Sequence, residues 1–357
     1  MSLKILIVKT SALGDIVHAM PVLEYLKENH NDVHIDWVVE KGGASLVKAH
    51  PHVRRTLILD SKQWKKSPLK QRKSIGEFIR ALREEEYDIV YDFQSNIKSG
   101  FITAFAKAKK KVGFGRKTVH EWPNLLATNT HFDPSRQKNI YDRNLHLVQK
   151  SLGDERSWEL KPRLLMTLEK PSISVQSGNR YMLCFGSRWE TKKVPPAIWR
   201  EILERITREE DEVFIVYGSE SEKKEAETIS YGLKGIHLLP PMSLPLWQNT
   251  MALMTGVLAV DSVGLHLAGY AGVPTFSIFG ASSAGVFAPS GSLHASVQGS
   301  CPYGMTFDKR CSKLRSCTTG ACIKELSLEE IWPRFEEWKS MCRNRCASLR
   351  DRQPLGS

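Results

Sequence analysis

The chain has 357 residues and a net charge of +12, with 41% hydrophobic and 25% charged residues. That length accommodates two domains with separate cores, and the composition is that of a folded globular protein. No apolar run reaches the roughly 18 residues that a membrane span needs.

The first apolar stretch, residues 5–9, is too short for the core of a signal peptide and reads as the opening strand of a cytoplasmic protein. Further strands are expected at 33–39, 56–59 and 88–92, with amphipathic helical segments near 16–29, 43–50, 69–85 and 97–107. This alternation implies βαβ units and a parallel sheet. Two basic clusters fall in the same half: Lys62, Lys65, Lys66, Lys70, Arg72 and Lys73, then Lys107, Lys109, Lys110, Lys111, Arg116 and Lys117. Such a surface attracts phosphates. With no zinc-finger spacing, no aromatic RNA-binding motif and no basic zipper, nucleic acid is disfavoured against an acidic ligand or an anionic membrane surface.

Residues 150–180 contain Gly153, Pro162, Pro171 and Gly178 and read as a linker. The pattern then restarts, with strands expected at 181–185, 213–217, 236–239, 257–260 and 275–279 and helices near 195–208, 220–232, 243–254 and 264–271. A last helical run over 327–345 is rich in Trp and charge and is expected to pack back across both domains, before a frayed tail at 351–357. The division expected is 1–165, 175–330 and a terminal helix at 327–350.

Two strand-to-helix turns concentrate polar groups at strand carboxyl ends, where open α/β sheets bind ligands. In the first, Asp15 follows Gly14 at a helix start, with His18 one turn later. Helix capping explains such an Asp, and a general base at a cleft mouth explains it too; the residues by themselves favour the cap. In the second, Asp261 precedes Ser262, Val263, Gly264 and His266, and a following helix N-terminus suits a phosphate. An ordinary turn with a core-facing His is the equal alternative. Neither turn is a Walker loop, and no G-x-G-x-x-G with a downstream acid is present, which disfavours a nicotinamide cofactor. Two more strand ends carry GSRWETKK at 186–193, where Lys192 could meet a diphosphate as a point charge, and YGSESE at 217–222, with carboxylates suited to sugar hydroxyls.

The strings VKTSALGDIVHAMP at 8–21, DWVVE at 36–40, DFQSNIKS at 92–99, VDSVGLH at 260–266 and GVPTFSIFG at 272–280 resemble the ADP-heptose:lipopolysaccharide heptosyltransferases of glycosyltransferase family 9. The resemblance runs to about residue 290, and the opening string is nearest to heptosyltransferase I. It implies a GT-B fold, two Rossmann-like domains facing a central cleft, and inverting transfer of L-glycero-D-manno-heptose from ADP-heptose to Kdo–lipid A, with no cofactor, peripheral at the inner face of the bacterial inner membrane. On this mapping Asp15 is the base and Lys192 stabilises the leaving diphosphate. Donor contacts would be Ser187, Lys192, Glu222 at the ribose, Met242 at the adenine, Asp261 at the heptose, and Ser262, Val263, Gly264 and His266. Acceptor contacts would be Ser11, His18, Lys62, Lys66, Lys98 and His120. A sister transferase for another acceptor, a nucleotide-sugar epimerase of the same architecture and a non-catalytic nucleotide-binding protein are the alternatives.

Of seven cysteines, Cys301, Cys311, Cys317 and Cys322 crowd one segment with nine, five and four intervening residues. No C-x-x-C pair is present. The four are candidate ligands for a structural metal, with reduced free thiols the favoured state.

Overall fold

The structure, a computed structural model, describes residues 2–173 and 178–350, apart from the side chains of 346–350. The expected tail at 351–357 and part of the expected linker lie outside the described residues. The chain divides into two compact units. Unit 1 runs to Lys161 and includes Leu165–Thr167, and unit 2 takes Pro162–Leu164 and the chain from Leu168 onward. The connection is therefore stitched into both. Arg163 donates its N–H to Tyr270 within unit 2, and Met166 donates its N–H to Ala49 within unit 1.

Unit 1 is built on six parallel strands, β1 (Leu3–Val8), β2 (Val33–Glu40), β3 (Val53–Leu59), β4 (Glu86–Asp92), β5 (Lys107–Phe114) and β6 (Thr130–Phe132), in the order β3-β2-β1-β4-β5-β6. The helical stretch expected over 16–29 breaks into α1 (Leu13–Val17) and α2 (Pro21–Asn29), because Pro21 starts a helix readily but cannot continue one. Next come α3 (Ala44–Lys48), α4 (Ser61–Lys66), α5 (Arg72–Glu84), α6 (Ile97–Phe105) and α7 (Ile140–Leu152). Trp64, Phe78, Leu82, Ile102 and Ala106 pack in one apolar cluster with Leu6, Val8, Val38 and Val90. The helices α4, α5 and α6 thus form a single layer on one face of the sheet.

Unit 2 repeats the plan. Its strands are β7 (Arg180–Cys184), β8 (Glu212–Val216), β9 (Ile236–Leu239), β10 (Gly256–Val260), β11 (Thr275–Phe279) and β12 (His294–Gln298), all parallel, in the order β12-β11-β10-β7-β8-β9. Its helices are α8 (Pro196–Thr207), α9 (Glu220–Ser230), α10 (Leu244–Met251), α11 (Val263–Tyr270), α12 (Ala284–Phe287), α13 (Ala321–Lys324) and α14 (Leu328–Arg350). Each sheet has the doubly wound order of a Rossmann fold, with one reversal of strand order: between β1 and β4 in unit 1, and between β7 and β10 in unit 2.

The terminal helix α14 finds its described partners in unit 2. Ile331, Phe335, Trp338 and Cys342 join the core with Tyr181, Val213 and Phe276. Phe335 sits edge-on to Phe276 at 5.2 Å, and Gly256 leaves room for Trp338, since a Cβ there would come within 2.6 Å of the indole. Lys339 and Arg343 fasten the helix to Glu209 and Asp211.

The sequence reading names no strand at β5, β6 or β12 and no helix at α4, α7, α12 or α13; the run Lys107–Lys111 forms the first half of β5. Lysines on both faces of β5 hide the alternation by which a strand is recognised. The expected linker loses its beginning to α7, which ends on Gly153 in the left-handed conformation.

Phe335→Ala should destabilise unit 2 by about 3–5 kcal/mol, because it empties a core site packed on three sides by aromatic rings. Urea unfolding followed by near-ultraviolet circular dichroism tests this, and a loss below about 1 kcal/mol would show that α14 is not part of the cooperative core.

Candidate active site

In unit 1 the loops after β1 and β4 are bonded together where the strand order reverses. The side-chain carbonyl of Gln94 accepts from the N–H groups of Thr10 and Ser11 at 3.1 Å each, and Lys9 Nζ donates to the carbonyl of Phe93 at 3.2 Å. Asp92, at the end of β4, is fully buried. It accepts from Gln94 N, Ser95 N, Thr103 Oγ1 and Asn124 Nδ2 at 3.0, 2.8, 3.2 and 2.7 Å. Burial pushes its carboxyl up, against the pull of hydrogen bonds from Ser95, Asn124, Ser99 and Gln94.

On this frame α1 presents Asp15 in its first turn. The carboxylate accepts from Ala12 N at 3.3 Å, so it does cap the helix, yet its side chain keeps 26% of its surface exposed. His18 Nδ1 lies 3.6 Å from Asp15 Oδ1. The His18 ring is 1% exposed and edge-on to Tyr141 at 5.1 Å. His18 was expected to touch the acceptor; it lies instead beneath Asp15, where it can orient the carboxylate.

The other acceptor candidates follow the same edge. Lys98 Nζ pairs with Glu40 Oε1 at 2.6 Å, and Glu40, which ends β2, also accepts from Ser61. Ser11 is half-buried beside Gln94. His120 is exposed, in a loop fastened by its own N–H to Ser95 Oγ at 3.3 Å. Lys62 and Lys66 stand exposed on α4.

In unit 2 the reversal between β7 and β10 holds a buried ionic cluster. Lys192, on the short 3-10 turn Glu190–Lys192, donates to Asp261 Oδ2, which also accepts from Ser282. His266 Nε2 lies 3.4 Å from Asp261 Oδ1. Burial would raise the Asp261 carboxyl, but the His266 bond and the Lys192 charge outweigh it and hold it far below the usual carboxylate range. Asp261 therefore has both oxygens occupied, and the arrangement it serves directly is the orientation of Lys192.

The cluster sits at the start of α11. Ser262 occupies the N-cap with extended backbone, and its hydroxyl makes no capping bond. Val263 opens the helix, whose first N–H groups lack intrahelical acceptors. A cation and a helix N-terminus thus lie together, which suits a phosphate. Gly264 proves to be a packing residue: a Cβ there would approach Cys184 and Trp247 at 3.0 Å, so it lets α11 settle on β7 and α10. Glu222 accepts from Gly218 N at 2.7 Å, and Gly186 leaves space for its carboxylate, which a Cβ would meet at 2.5 Å. Ser187, half-buried in the same loop, accepts from Trp189 N at 3.4 Å. Met242, half-buried just before α10, accepts from Thr250 at its sulfur.

Cys301, Cys311, Cys317 and Cys322 do converge, lining one small cavity with Thr191, and all four are free thiols. Burial and the three neighbouring sulfurs push Cys322 up to about 11, while bonds from Thr319 and Gly320 lower Cys317. Among the described residues no group of three or more His, Cys, Asp or Glu side chains is disposed to hold a metal ion. What the segment does hold is the Lys192 turn, through Thr191 Oγ1 donating to the carbonyl of Leu314 at 3.0 Å.

The model of glycosyltransferase family 9 (heptosyltransferase) matches residues 75–315, well over half of the chain. The chain belongs to this family. It is 28% identical over 326 residues to lipopolysaccharide heptosyltransferase 1 of Pseudomonas aeruginosa, covering 87% of this chain and 88% of that protein. The same enzyme of Escherichia coli K12 is 26% identical over 289 residues, with 80% and 90% covered. Escherichia coli heptosyltransferase WaaC with ADP matches in structure with a TM-score of 0.78 at 22% identity, over 94% of this chain and 99% of that one. Escherichia coli ADP-heptose lps heptosyltransferase II matches with a TM-score of 0.65 at 17% identity, over 94% and 100%. These likenesses give the family's two-Rossmann GT-B fold.

The sequence strings assigned no role to Gln94, Glu40, Thr191 or Ser282. The first three stand in strings already singled out; Ser282 follows the end of β11, a position where any hydroxyl merits the same attention as those after β7 and β10. No helix among the described residues is long and apolar enough to cross a membrane.

Asp261→Asn should cost roughly 3 kcal/mol near neutral pH, because it leaves the Lys192 ammonium buried without its counter-charge. With the folded carboxyl held below its unfolded value of about 3.9, that stabilisation is fully present above about pH 4 and is lost as pH falls through the folded pKa. The gap in urea midpoint between wild type and variant should therefore narrow below about pH 4. A gap independent of pH would show that the pair is not ionic.

Proposed function

We propose that this chain transfers L-glycero-D-manno-heptose from ADP-heptose to the Kdo of Kdo–lipid A, with inversion at the anomeric carbon. The observation that carries the reading is the buried Lys192 ammonium, held by Asp261 at the N-terminal end of α11. The names of the family and of the Pseudomonas and Escherichia relatives support heptose as the sugar.

In this reaction the acceptor hydroxyl oxygen bonds to the anomeric carbon while the bond from that carbon to the diphosphate breaks, its electron pair leaving with ADP. The hydroxyl proton passes to Asp15, which is partly exposed and backed by His18. Negative charge builds on the departing diphosphate, where Lys192 and the N–H groups at the start of α11 stabilise it. Glu222 and Met242 serve the ribose and adenine, and Ser187 lies on the same donor loop. Lys98, His120, Ser11 and the cations of α4 serve the acceptor's carboxylates and phosphates. The acceptor is a lipid, so the enzyme works at the cytoplasmic face of the inner membrane.

ADP release from ADP-heptose should require Kdo–lipid A. Asp15→Asn should lower that turnover by at least about 100-fold, while ADP-heptose binding by titration calorimetry changes little. Weakened donor binding with unchanged turnover would remove Asp15 from the role of base. Release of ADP without acceptor would point to a different reaction on the same donor.

A further inference from the structure

The layer formed by α4, α5 and α6 also carries exposed apolar side chains to which the transfer reading gives no role. On α6, Ile97, Phe101 and Phe105 recur every four residues and form one exposed stripe, Phe101 being 63% exposed. The 3-10 turn Trp122–Ala127 packs against α6 and adds Trp122 and Leu126, 63% and 81% exposed. These rings are rigidly presented. Asn124, fully buried between Trp122 and Leu126, donates to Asp92 Oδ2 and to the carbonyl of Asn96, and Gly100 lets the turn approach, since a Cβ would meet Asn124 Nδ2 at 3.2 Å. The result is a group of exposed apolar side chains on two elements packed against each other, a feature that marks an interaction site.

The same layer is strongly basic. Between residues 62 and 84 it exposes eight Lys and Arg side chains against two carboxylates, Glu77 and Glu84. Leu69, 86% exposed, stands among these cations in the loop that joins α4 to α5. At the far end of α6, Arg83 donates to the carbonyl of Phe105 at 3.0 Å and Lys111 to that of Ala104 at 2.9 Å.

We propose that this surface docks the protein on an anionic lipid bilayer, with Phe101, Trp122 and Leu126 entering the headgroup region and Lys70 and the cations of α5 meeting lipid phosphates. Aromatic and aliphatic side chains set in a basic surface are the chemistry of interfacial binding. Charge also decides against a second copy of the chain as occupant. A two-fold interface would press the same basic layer against itself. The proposal rests on the transfer reading only in that a lipid acceptor gives docking a purpose.

The test uses the full chain and the triple variant Phe101→Ser, Trp122→Ser, Leu126→Ser, in co-sedimentation with vesicles of phosphatidylcholine, pure or mixed with phosphatidylglycerol. The wild type should bind the mixed vesicles at about 0.1 M salt, bind the neutral ones far less, and release as salt rises. The variant should bind the mixed vesicles at least tenfold more weakly, keep its far-ultraviolet circular dichroism, and retain wild-type transfer to a water-soluble Kdo acceptor stripped of its acyl chains. Equal binding by variant and wild type would overturn the proposal. So would a wild-type dimer that the triple substitution turns into monomer, since the patch would then be a self-association face. Absence of transfer by both proteins to the soluble acceptor would overturn the heptosyl-transfer reading instead, and the vesicle comparison would still decide docking.

Discussion

Among the described residues, twelve strands in two sheets all run parallel within their sheet, and that one constraint governs where anything can bind. Each parallel pair needs a crossover, crossovers take one hand, and strand order must reverse once per sheet. At the reversal the loops from neighbouring strands diverge and leave a crevice at the carboxyl edge. In unit 1 that edge is closed by Gln94, accepting from Thr10 and Ser11. In unit 2 it is filled by Asp261 and Lys192. Asp15 and α11 are where they are because they follow directly from these edges.

Electrostatics then separates the two units. Unit 1 offers a carboxylate that is partly open to solvent and backed by a buried imidazole. Unit 2 offers a cation whose counter-charge is internal. A buried ion pair is weak support for stability, since desolvation offsets much of the attraction. Its value here is positional: Asp261, ionised far below neutral pH, fixes Lys192 at the start of α11. On the proposed reading, a diphosphate arriving there would meet a cation already in place, the kind of preorganisation that lowers the cost of charge development.

Much of this was legible in the sequence, for a physical reason. Strands buried on both faces, such as residues 5–8 and 257–260, read as short unbroken apolar runs. The turns after them carry the polar residues that a strand end alone would not need. What stayed hidden was set by tertiary context. Lys107–Lys111 reads as a basic cluster and not as a strand, because nothing local shows that β4 would pair with it. His18 looked like a surface group because its spacing from Asp15 was visible and the overlying Tyr141, more than a hundred residues away, was not. Gly264 looked like a place for a ligand and is a place for Trp247. The cysteine spacing, without a C-x-x-C pair, could not reveal that the segment is tied to the Lys192 turn by Thr191 Oγ1 donating to the carbonyl of Leu314.

The stitched connection has its own consequence. Leu165–Thr167 belongs to the first unit and Pro162–Leu164 to the second, with Met166 bonded to Ala49 and Arg163 to Tyr270. No single genetic cut therefore yields two intact halves. A break before Pro162 takes a bonded segment from the first unit, and a break after Thr167 takes one from the second, where Pro162 also fills the space over Gly272. The two Rossmann units share a plan but are not interchangeable cassettes, and exchanging one for a relative's would have to carry this short shared segment with both.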